Sequence, residues 1–167
     1  MSSIKAIFKI YLHKKWLMSA LQQEILAILQ DKTKAFDARL QQICNLLHDR
    51  LNNYTWVGFY FANTKQKTLH LGPYCGAPTD HTCIPFGKGI CGQVALSNDN
   101  FLVPDVQKQD NYIACSLSVK SELVVPLFVD GKNIGQIDID SDQIDAFDQS
   151  DIEFLEWVNV QIASVWP

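Results

Sequence analysis

The spacing of apolar residues predicts helices in the first third of the chain. Ser19 and Gln22 fit a capping box, which marks a helix start. The apolar residues behind it recur at helical spacing: Leu21, Ile25, Ile28 and Leu29. A second helix is predicted from Asp31, on one apolar stripe: Phe36, Leu40, Ile43, Leu47 and Leu51. Residues 4–17 are apolar nearly all round, so we expect them to form a helix that buries against the domain or a partner subunit.

After Asn53 the pattern changes to short runs rich in aromatic and β-branched residues, which are typical of strands. We predict strands over residues 55–61, 68–71, 101–103, 123–129 and 134–139. The last two form a hairpin that turns at Asp130 and Gly131. The stretch between residues 72 and 100 has little regular pattern, and long loops of this kind are usually functional.

A final helix is predicted behind Asp148 and Asp151, which fit another capping box. Its apolar stripe contains Ile152, Leu155, Val158, Ile162 and Trp166. The order of elements is therefore helices, strands and a closing helix. This order indicates an α+β fold, with a central antiparallel sheet flanked by N-terminal helices and a C-terminal helix.

Composition narrows the function classes. A chain of 167 residues that is 47% hydrophobic can build one core without disulfides or metals. The net charge is -4 and the densest basic cluster is Lys14 with Lys15, which leaves no face for nucleic acid. Apolar runs are too short for a bilayer span, and Lys9 interrupts the apolar start, which no cleavage site follows. We predict a cytoplasmic protein with no nucleic-acid or membrane partner.

Five cysteines are the unusual feature of the composition. Their odd number, without an export signal, argues against structural disulfides and leaves thiols available for chemistry. Cys44 lies beside a helical apolar stripe and is interpreted as a core residue. Cys75 is interpreted as a surface thiol; the family resemblance described below adds the alternative of an extra thiol near the site that forms another disulfide. Cys83, Cys91 and Cys115 lie on segments without regular pattern, which favours a redox role for them.

The segment 87–92 reads Gly-Lys-Gly-Ile-Cys-Gly and satisfies the dinucleotide-binding pattern. The strand before it and the alternation of strands and helices that such a site needs are missing. We interpret the segment as a turn that enters a short helix over residues 92–96. That turn places Cys91 near a helix N-terminus, where the backbone N–H groups and the helix dipole favour a thiolate.

Two other cysteine chemistries find less support in the sequence. His81, Cys83 and Cys91 are close in sequence, but they lack the paired spacing of structural zinc ligands, so no metal is predicted. A Cys/His hydrolase would need a histidine partner for Cys115, and the sequence identifies none.

Acidic residues interrupt the apolar hairpin. Alternation places Asp138 and Asp140 on one strand face, and the hairpin register decides whether Glu122 joins them. A two-residue turn puts Glu122 on the opposite face, whereas a three-residue loop puts all three acids together, so clustering predicts an odd loop. A solvated strand face is the alternative. Clustered carboxylates suit a cationic group such as an α-ammonium, and their repulsion raises a pKa and creates a proton donor.

Six ordered blocks resemble the free methionine-R-sulfoxide reductase family, which is built on a GAF domain. The blocks are WVGFY at 56–60, LGPY at 71–74, GKGICG at 87–92, IAC at 113–115, SELVVPL at 121–127 and GQIDIDS at 135–141. The resemblance covers about residues 20–165. It implies a single GAF domain over residues 19–167, preceded by an apolar helical segment over residues 1–18.

The resemblance implies an enzyme that reduces the R epimer of free methionine sulfoxide. Cys115 would attack the sulfoxide sulfur and become a sulfenic acid, which Cys91 or Cys83 would convert to a disulfide. Thioredoxin would restore the thiols, and no metal or organic cofactor would be needed. Related reductases also suggest a homodimer.

The resemblance further assigns the substrate pocket. Glu122, Asp138 and Asp140 would hold the substrate ammonium, and Trp56 and Tyr60 would surround its side chain.

The chain departs from the family near the nucleophile. Tyr112 and Ser116 stand where the family usually has His and Asp, and Ser116 lacks the charge and acid function of that Asp. These changes favour a second hypothesis, a non-catalytic GAF module that binds an amino-acid-like ligand. Retention of all three family cysteines favours the enzyme. A thiol-based redox switch without a small-molecule substrate is the third hypothesis.

Overall fold

The computed structural model of the protein describes residues 2–109 and 118–167, with only the backbone for residues 2–11 and 13. The helices are α1 (Ser2–Gln30), α2 (Phe36–Arg50), α3 (Gly89–Ser97) and α4 (Gln149–Ser164). The strands are β1 (Trp56–Asn63), β2 (Thr68–Cys75), β3 (Cys83–Pro85), β4 (Phe101–Val103), β5 (Ser121–Val129) and β6 (Lys132–Ser141). A short 3-10 turn covers Val106–Lys108.

The strands form one sheet in the order β3-β2-β1-β6-β5-β4, and every neighbouring pair is antiparallel. Helices α1, α2 and α4 bury one face of this sheet, whereas α3 and the segments around it cover the other face. The predicted α+β fold, with an antiparallel sheet between N-terminal helices and a C-terminal helix, is confirmed.

Helix α1 is longer than predicted because it runs without a break through Ser19. The helix start expected from the Ser19–Gln22 capping box is wrong, and the expected boundary at residue 18 falls inside this helix. Met18 and Leu21 on either side are both buried, so the apolar stripe continues in helical phase. No helix in the described part of the chain has the length and apolar character needed to cross a bilayer.

The capping box at the start of α4 is confirmed. The Asp148 carboxylate accepts a hydrogen bond from the Ser150 backbone N–H at 2.8 Å, and the Asp148 backbone N–H donates to Asp151 at 2.8 Å. Lys14 of α1 donates to both carboxylates, at 2.9 Å and 2.7 Å, and the Tyr54 hydroxyl donates to Asp151 at 3.0 Å. These contacts join α1 to the start of α4.

The stretch between residues 72 and 100 is more regular than its sequence indicates. Strand β2 extends to Cys75, the short edge strand β3 follows, and α3 begins at Gly89 instead of residue 92. Helix α3 is buried on nearly all sides, so it shows no helical period in hydrophobicity. Cys75, Cys83 and Cys91 therefore lie on regular elements, which corrects the expectation of irregular segments.

The β5–β6 hairpin places the three acids on one face, as expected, but it does so through a bulge and not through an odd loop. Asp130 and Gly131 both have positive φ and form a two-residue turn that pairs Val129 with Lys132. The odd loop that the sequence predicted is therefore wrong. Ile134 is an extra residue in a bulge, because Phe128 pairs with Asn133 while the preceding residue of β5 pairs with Gly135. The bulge shifts the register by one residue and returns Glu122 to the face of the other acids.

Candidate active site

Three buried acids gather on the sheet face opposite α1, α2 and α4. Glu122 of β5 pairs directly with Asp140 of β6, and Asp138 follows two residues along the same strand face. Their exposed fractions are only 3%, 3% and 1%, respectively. Among the described side chains, no lysine or arginine forms an ion pair with them. Burying three carboxylates together is therefore energetically unfavourable unless a cation pairs with them.

Burial changes the acidity of this cluster. It raises the pKa of Asp138 to about 7, against the opposing effect of a hydrogen bond from Cys91. Burial also raises the pKa of Glu122 and Asp140, and the neighbouring carboxylates raise both further. Near neutral pH the cluster thus carries protons that it can donate, and a bound cation would favour its ionised form.

Strand β6 has buried polar atoms for which the described part of the chain provides no hydrogen-bond partner. Asp138 Oδ1 and Asp140 Oδ1 have no hydrogen-bond partner in the described structure, and the same holds for both amide atoms of Gln136. Gln136, Asp138 and Asp140 occupy every second position of the strand, so their side chains lie on the same face, next to Glu122. Buried polar groups are almost always hydrogen-bonded, so this row of atoms fits a polar ligand.

Cys91 faces the acids from the opposite side of the pocket. It is the third residue of α3, which confirms its predicted position near a helix N-terminus. Its Sγ donates to Asp138 Oδ2 at 3.2 Å and lies 4.0 Å from Glu122 Oε1. The structure therefore brings Cys91, Glu122 and Asp138 together, although they are far apart in sequence.

An aromatic wall borders the acids on β1. Trp56 pairs with Asp140 and Tyr60 pairs with Gln136, so both rings lie on the face of the acids. The Trp56 ring lies over Gly58, where a Cβ atom would clash with it, and stacks 6.3 Å from Tyr60. Sequence reasoning missed this role of Gly58, because the overlap depends on the rotamer of a neighbouring side chain.

The same two aromatic residues hold the segment 76–82 across the site. Trp56 Nε1 donates to the Ala77 carbonyl oxygen at 3.1 Å, and the Tyr60 hydroxyl donates to the His81 carbonyl oxygen at 3.0 Å. A cavity of about 170 Å³ lies beside Trp56 and Asp140 under this segment. The position of segment 76–82 over the site was not predictable from the sequence, because its hydrogen bonds use main-chain carbonyl oxygens, which every residue type has.

Cys83 and Cys115 complete the set of predicted thiols. Cys83 is exposed on the edge strand β3 and lines a small cavity of about 80 Å³ together with Cys91 and Glu122. Cys115 lies outside the described residues, as do Tyr112 and Ser116. The assignment of nucleophile and resolving thiol stays a prediction.

Cys44 and Cys75 lie on the other side of the sheet. The Cys44 thiol is buried and donates to the Pro73 carbonyl oxygen at 3.4 Å, and burial raises the pKa of this thiol strongly. Cys75 is half-buried and packs against the same helix-covered core, because its partner Val57 faces that core. The sheet therefore separates Cys75 from the acids, and the idea of an extra thiol near the site is wrong.

Replacing Gln136 with leucine is expected to raise the free energy of unfolding by about 1–3 kcal/mol, because the buried amide has no hydrogen-bond partner among the described residues. Urea denaturation followed by circular dichroism measures the change. Gln143→Leu, on the exposed segment after β6, is the matched control and should change stability by less than about 0.5 kcal/mol. A loss of stability in Gln136→Leu would show that this amide is satisfied in solution.

Comparison with known proteins places this site in a family. Residues 33–165 match the family model described as GAF domain. The chain is 35% identical to "Free methionine-R-sulfoxide reductase" of Escherichia coli (strain K12), over 87% of this chain and 86% of that protein.

Solved structures give the same result. A free methionine-R-sulfoxide reductase from Neisseria meningitidis in complex with its substrate has a TM-score of 0.85 and 34% identity, over 92% of this chain and 90% of that one. The reduced form of the Staphylococcus aureus enzyme has a TM-score of 0.82 and 37% identity, over 90% and 95% of the two chains. The chain therefore belongs to the GAF domain family and, within it, to the family of the free methionine-R-sulfoxide reductases.

Proposed function

We propose that this protein reduces free methionine-R-sulfoxide to methionine. The observation that carries the proposal is the buried cluster of Glu122, Asp138 and Asp140, which lacks a cationic partner among the described residues and faces a cysteine. An α-ammonium group supplies the missing positive charge. The relatives named above are free methionine-R-sulfoxide reductases, and one of them is described in complex with its substrate.

The pocket geometry supports a free amino acid as substrate. The carboxylates would hold the ammonium group, and the Trp56 and Tyr60 rings would lie along the apolar side chain. A methionine sulfoxide residue within a polypeptide has an amide in place of this ammonium group. It would leave the acids without a cation, which is a large penalty in a buried site.

The proposed reaction uses two thiols and one carboxylic acid. Cys115 attacks the sulfoxide sulfur as a thiolate and forms a bond between the two sulfurs, while Asp138 or Glu122 protonates the sulfoxide oxygen. This oxygen transfers to the Cys115 sulfur as the bond between the two sulfurs breaks, so methionine leaves and Cys115 becomes a sulfenic acid. Cys91 then attacks Cys115, which forms a disulfide and releases water. Thioredoxin reduces this disulfide by thiol–disulfide exchange and becomes oxidised.

Cys91 is proposed as the resolving thiol because it lies beside the acids, with its Sγ 3.2 Å from Asp138 Oδ2. Cys83 is exposed on the edge of the same small cavity and is the alternative. No metal or organic cofactor takes part in this scheme. Mass spectrometry of the oxidised protein, digested without reductant, identifies the partner of Cys115.

A second candidate function is a GAF module that binds the amino acid without reducing it. Tyr112 and Ser116, in place of the His and Asp usual in the family, favour this candidate. It predicts ligand binding by the acids without consumption of reductant.

A coupled assay separates the two functions. The protein is incubated with thioredoxin, thioredoxin reductase, NADPH and either the R or the S epimer of free methionine sulfoxide. We expect NADPH loss with the R epimer only, abolished in Cys115→Ser and retained in Cys75→Ser, because Cys75 lies across the sheet. Absence of R-specific turnover, or full turnover in Cys115→Ser, would contradict the enzyme.

We also propose a cytoplasmic homodimer. The apolar side chains of Leu12 and Trp16 on α1 are 48% and 68% exposed, which fits a surface that a second copy covers. Sedimentation velocity of the full chain measures this association.

A further inference from the structure

Three side chains of the pocket have the arrangement of a metal site. Cys91, Glu122 and Asp138 each offer one ligand atom, and these atoms all lie within 4.8 Å of one another. The sulfur is 3.2 Å from one carboxylate oxygen and 4.0 Å from the other. A tetrahedral zinc ion bound through one sulfur and two oxygens holds its sulfur and oxygen ligands about 3.6 Å apart. The observed distances lie on both sides of this value, so small side-chain shifts suffice.

The surroundings favour a cation at this point. All three side chains are buried, and no lysine or arginine forms an ion pair with the carboxylates among the described residues, although Lys88 lines the small cavity beside Cys91 and Glu122. Asp138 Oδ1 has no hydrogen-bond partner among the described residues, so the carboxylate that contacts the cysteine sulfur through Oδ2 has an unused acceptor in its other oxygen.

The ligand types select a class of metal. A thiolate is a soft ligand that suits zinc, cobalt or cadmium, whereas magnesium and calcium prefer sites built from oxygen alone. The small cavity beside Cys91 and Glu122 gives room for a water molecule as the fourth ligand, as in three-ligand zinc sites.

We propose that the reduced protein binds a zinc-class divalent cation through Cys91, Glu122 and Asp138, and that this cation competes with the amino-acid substrate. Binding releases the thiol proton of Cys91 and occupies the carboxylates that the substrate ammonium would use. The competition rests on the proposed function, whereas the metal binding does not. The cation acts as an inhibitor of the pocket, and not as a cofactor of the reaction.

Cobalt titration tests the site directly. The full chain is reduced, freed of small thiols under anaerobic conditions and titrated with Co²⁺, which gives a near-ultraviolet thiolate-to-metal band when cysteine coordinates it. Cys91→Ser should abolish this band and weaken Zn²⁺ binding by at least about 100-fold, since even outer-shell changes cost 10–100-fold. Cys83→Ser, at the edge of the same cavity, should keep the band and the affinity.

If Cys91→Ser does not fold, the isosteric variant Asp138→Asn tests the site instead. It should weaken Zn²⁺ binding and keep the near-ultraviolet circular dichroism of the wild type. Absence of a cobalt–thiolate band in the wild type, or a band that survives in Cys91→Ser, would overturn the metal site.

A single-turnover experiment tests the competition. Methionine formed by the reduced protein, without added thiol, is measured at increasing Zn²⁺, and we expect its rate to fall and to recover at higher sulfoxide concentration. Cobalt binding through Cys91 without any methionine formation would refute the proposed function and leave the metal site standing. Methionine formation that Zn²⁺ does not affect would refute the competition.

Discussion

The variant Asp138→Asn is expected to lower kcat/KM for free methionine-R-sulfoxide by about 150- to 5,000-fold. The substitution keeps the shape of the side chain but removes one buried negative charge from the ammonium partner, a change that typically costs about 3–5 kcal/mol. If Glu122 is instead the ionised partner of the ammonium group, the substitution removes the proton donor, since burial raises the pKa of Asp138 to about 7. Steady-state kinetics with the thioredoxin system measures both kcat and KM.

The matched control for this variant is Asp99→Asn, an acid that is exposed at the end of α3. It should leave kcat and KM unchanged. Glu122→Gln removes the acid of the cluster that lies on β5. It should raise KM and so, like Asp138→Asn, lower kcat/KM. If Asp138→Asn kept kcat/KM within about threefold of the wild type, the carboxylates would not be the ammonium site.

Stability is expected to fall by several kcal/mol as the pH rises from about 4 to about 7. Burial raises the pKa of Asp138 from 3.8 to about 7, and it raises the pKa of Glu122 and Asp140 as well. In this window the folded state binds more protons than the unfolded state, so the free energy of unfolding decreases with pH. Asp138 alone accounts for a loss of about 4 kcal/mol.

Urea denaturation at several pH values between about 4 and 8 measures this slope. Asp138→Asn should flatten it and should be more stable than the wild type at the upper end, because its amide does not ionise. Asp99→Asn should keep the wild-type slope. Saturating methionine should also reduce the slope, since its ammonium group stabilises the ionised carboxylates. A stability that rises with pH over this range would contradict the buried, protonated cluster.

The fold was predictable wherever one face of an element is buried and the other is polar. Helices α2 and α4 have this alternation, and it predicted both of them. The β5–β6 hairpin is buried on both faces over most of its length, and its apolar runs on either side of Asp130 and Gly131 predicted it instead. Helix α3 is buried on nearly all sides and β3 has only three residues, so neither shows a hydrophobic period in the sequence. At Ser19 the capping-box pattern does not start a helix, because the apolar stripe of α1 continues through this residue.

The candidate site was predictable in its chemistry and only partly in its geometry. Strand alternation placed Asp138 and Asp140 together, but Glu122 joined them through a bulge at Ile134. The neighbouring Gly135 is a sequence signal for a bulge, yet it does not specify that the register shifts by one residue. The contact between Cys91 and Asp138 depends on how α3 crosses the sheet, which periodicity cannot specify. The roles of the thiols came from family resemblance, because free cysteines in most proteins are buried and inert.

The most direct test of ammonium recognition compares free L-methionine-R-sulfoxide with its N-acetyl derivative in the thioredoxin-coupled assay. Acetylation removes the positive charge and leaves the sulfoxide unchanged, so it separates recognition of the ammonium group from the redox chemistry. We predict that kcat/KM for the free amino acid exceeds that for the N-acetyl compound by at least about 1,000-fold. Equal kcat/KM for the two compounds would contradict the claim that the buried acids bind the substrate ammonium.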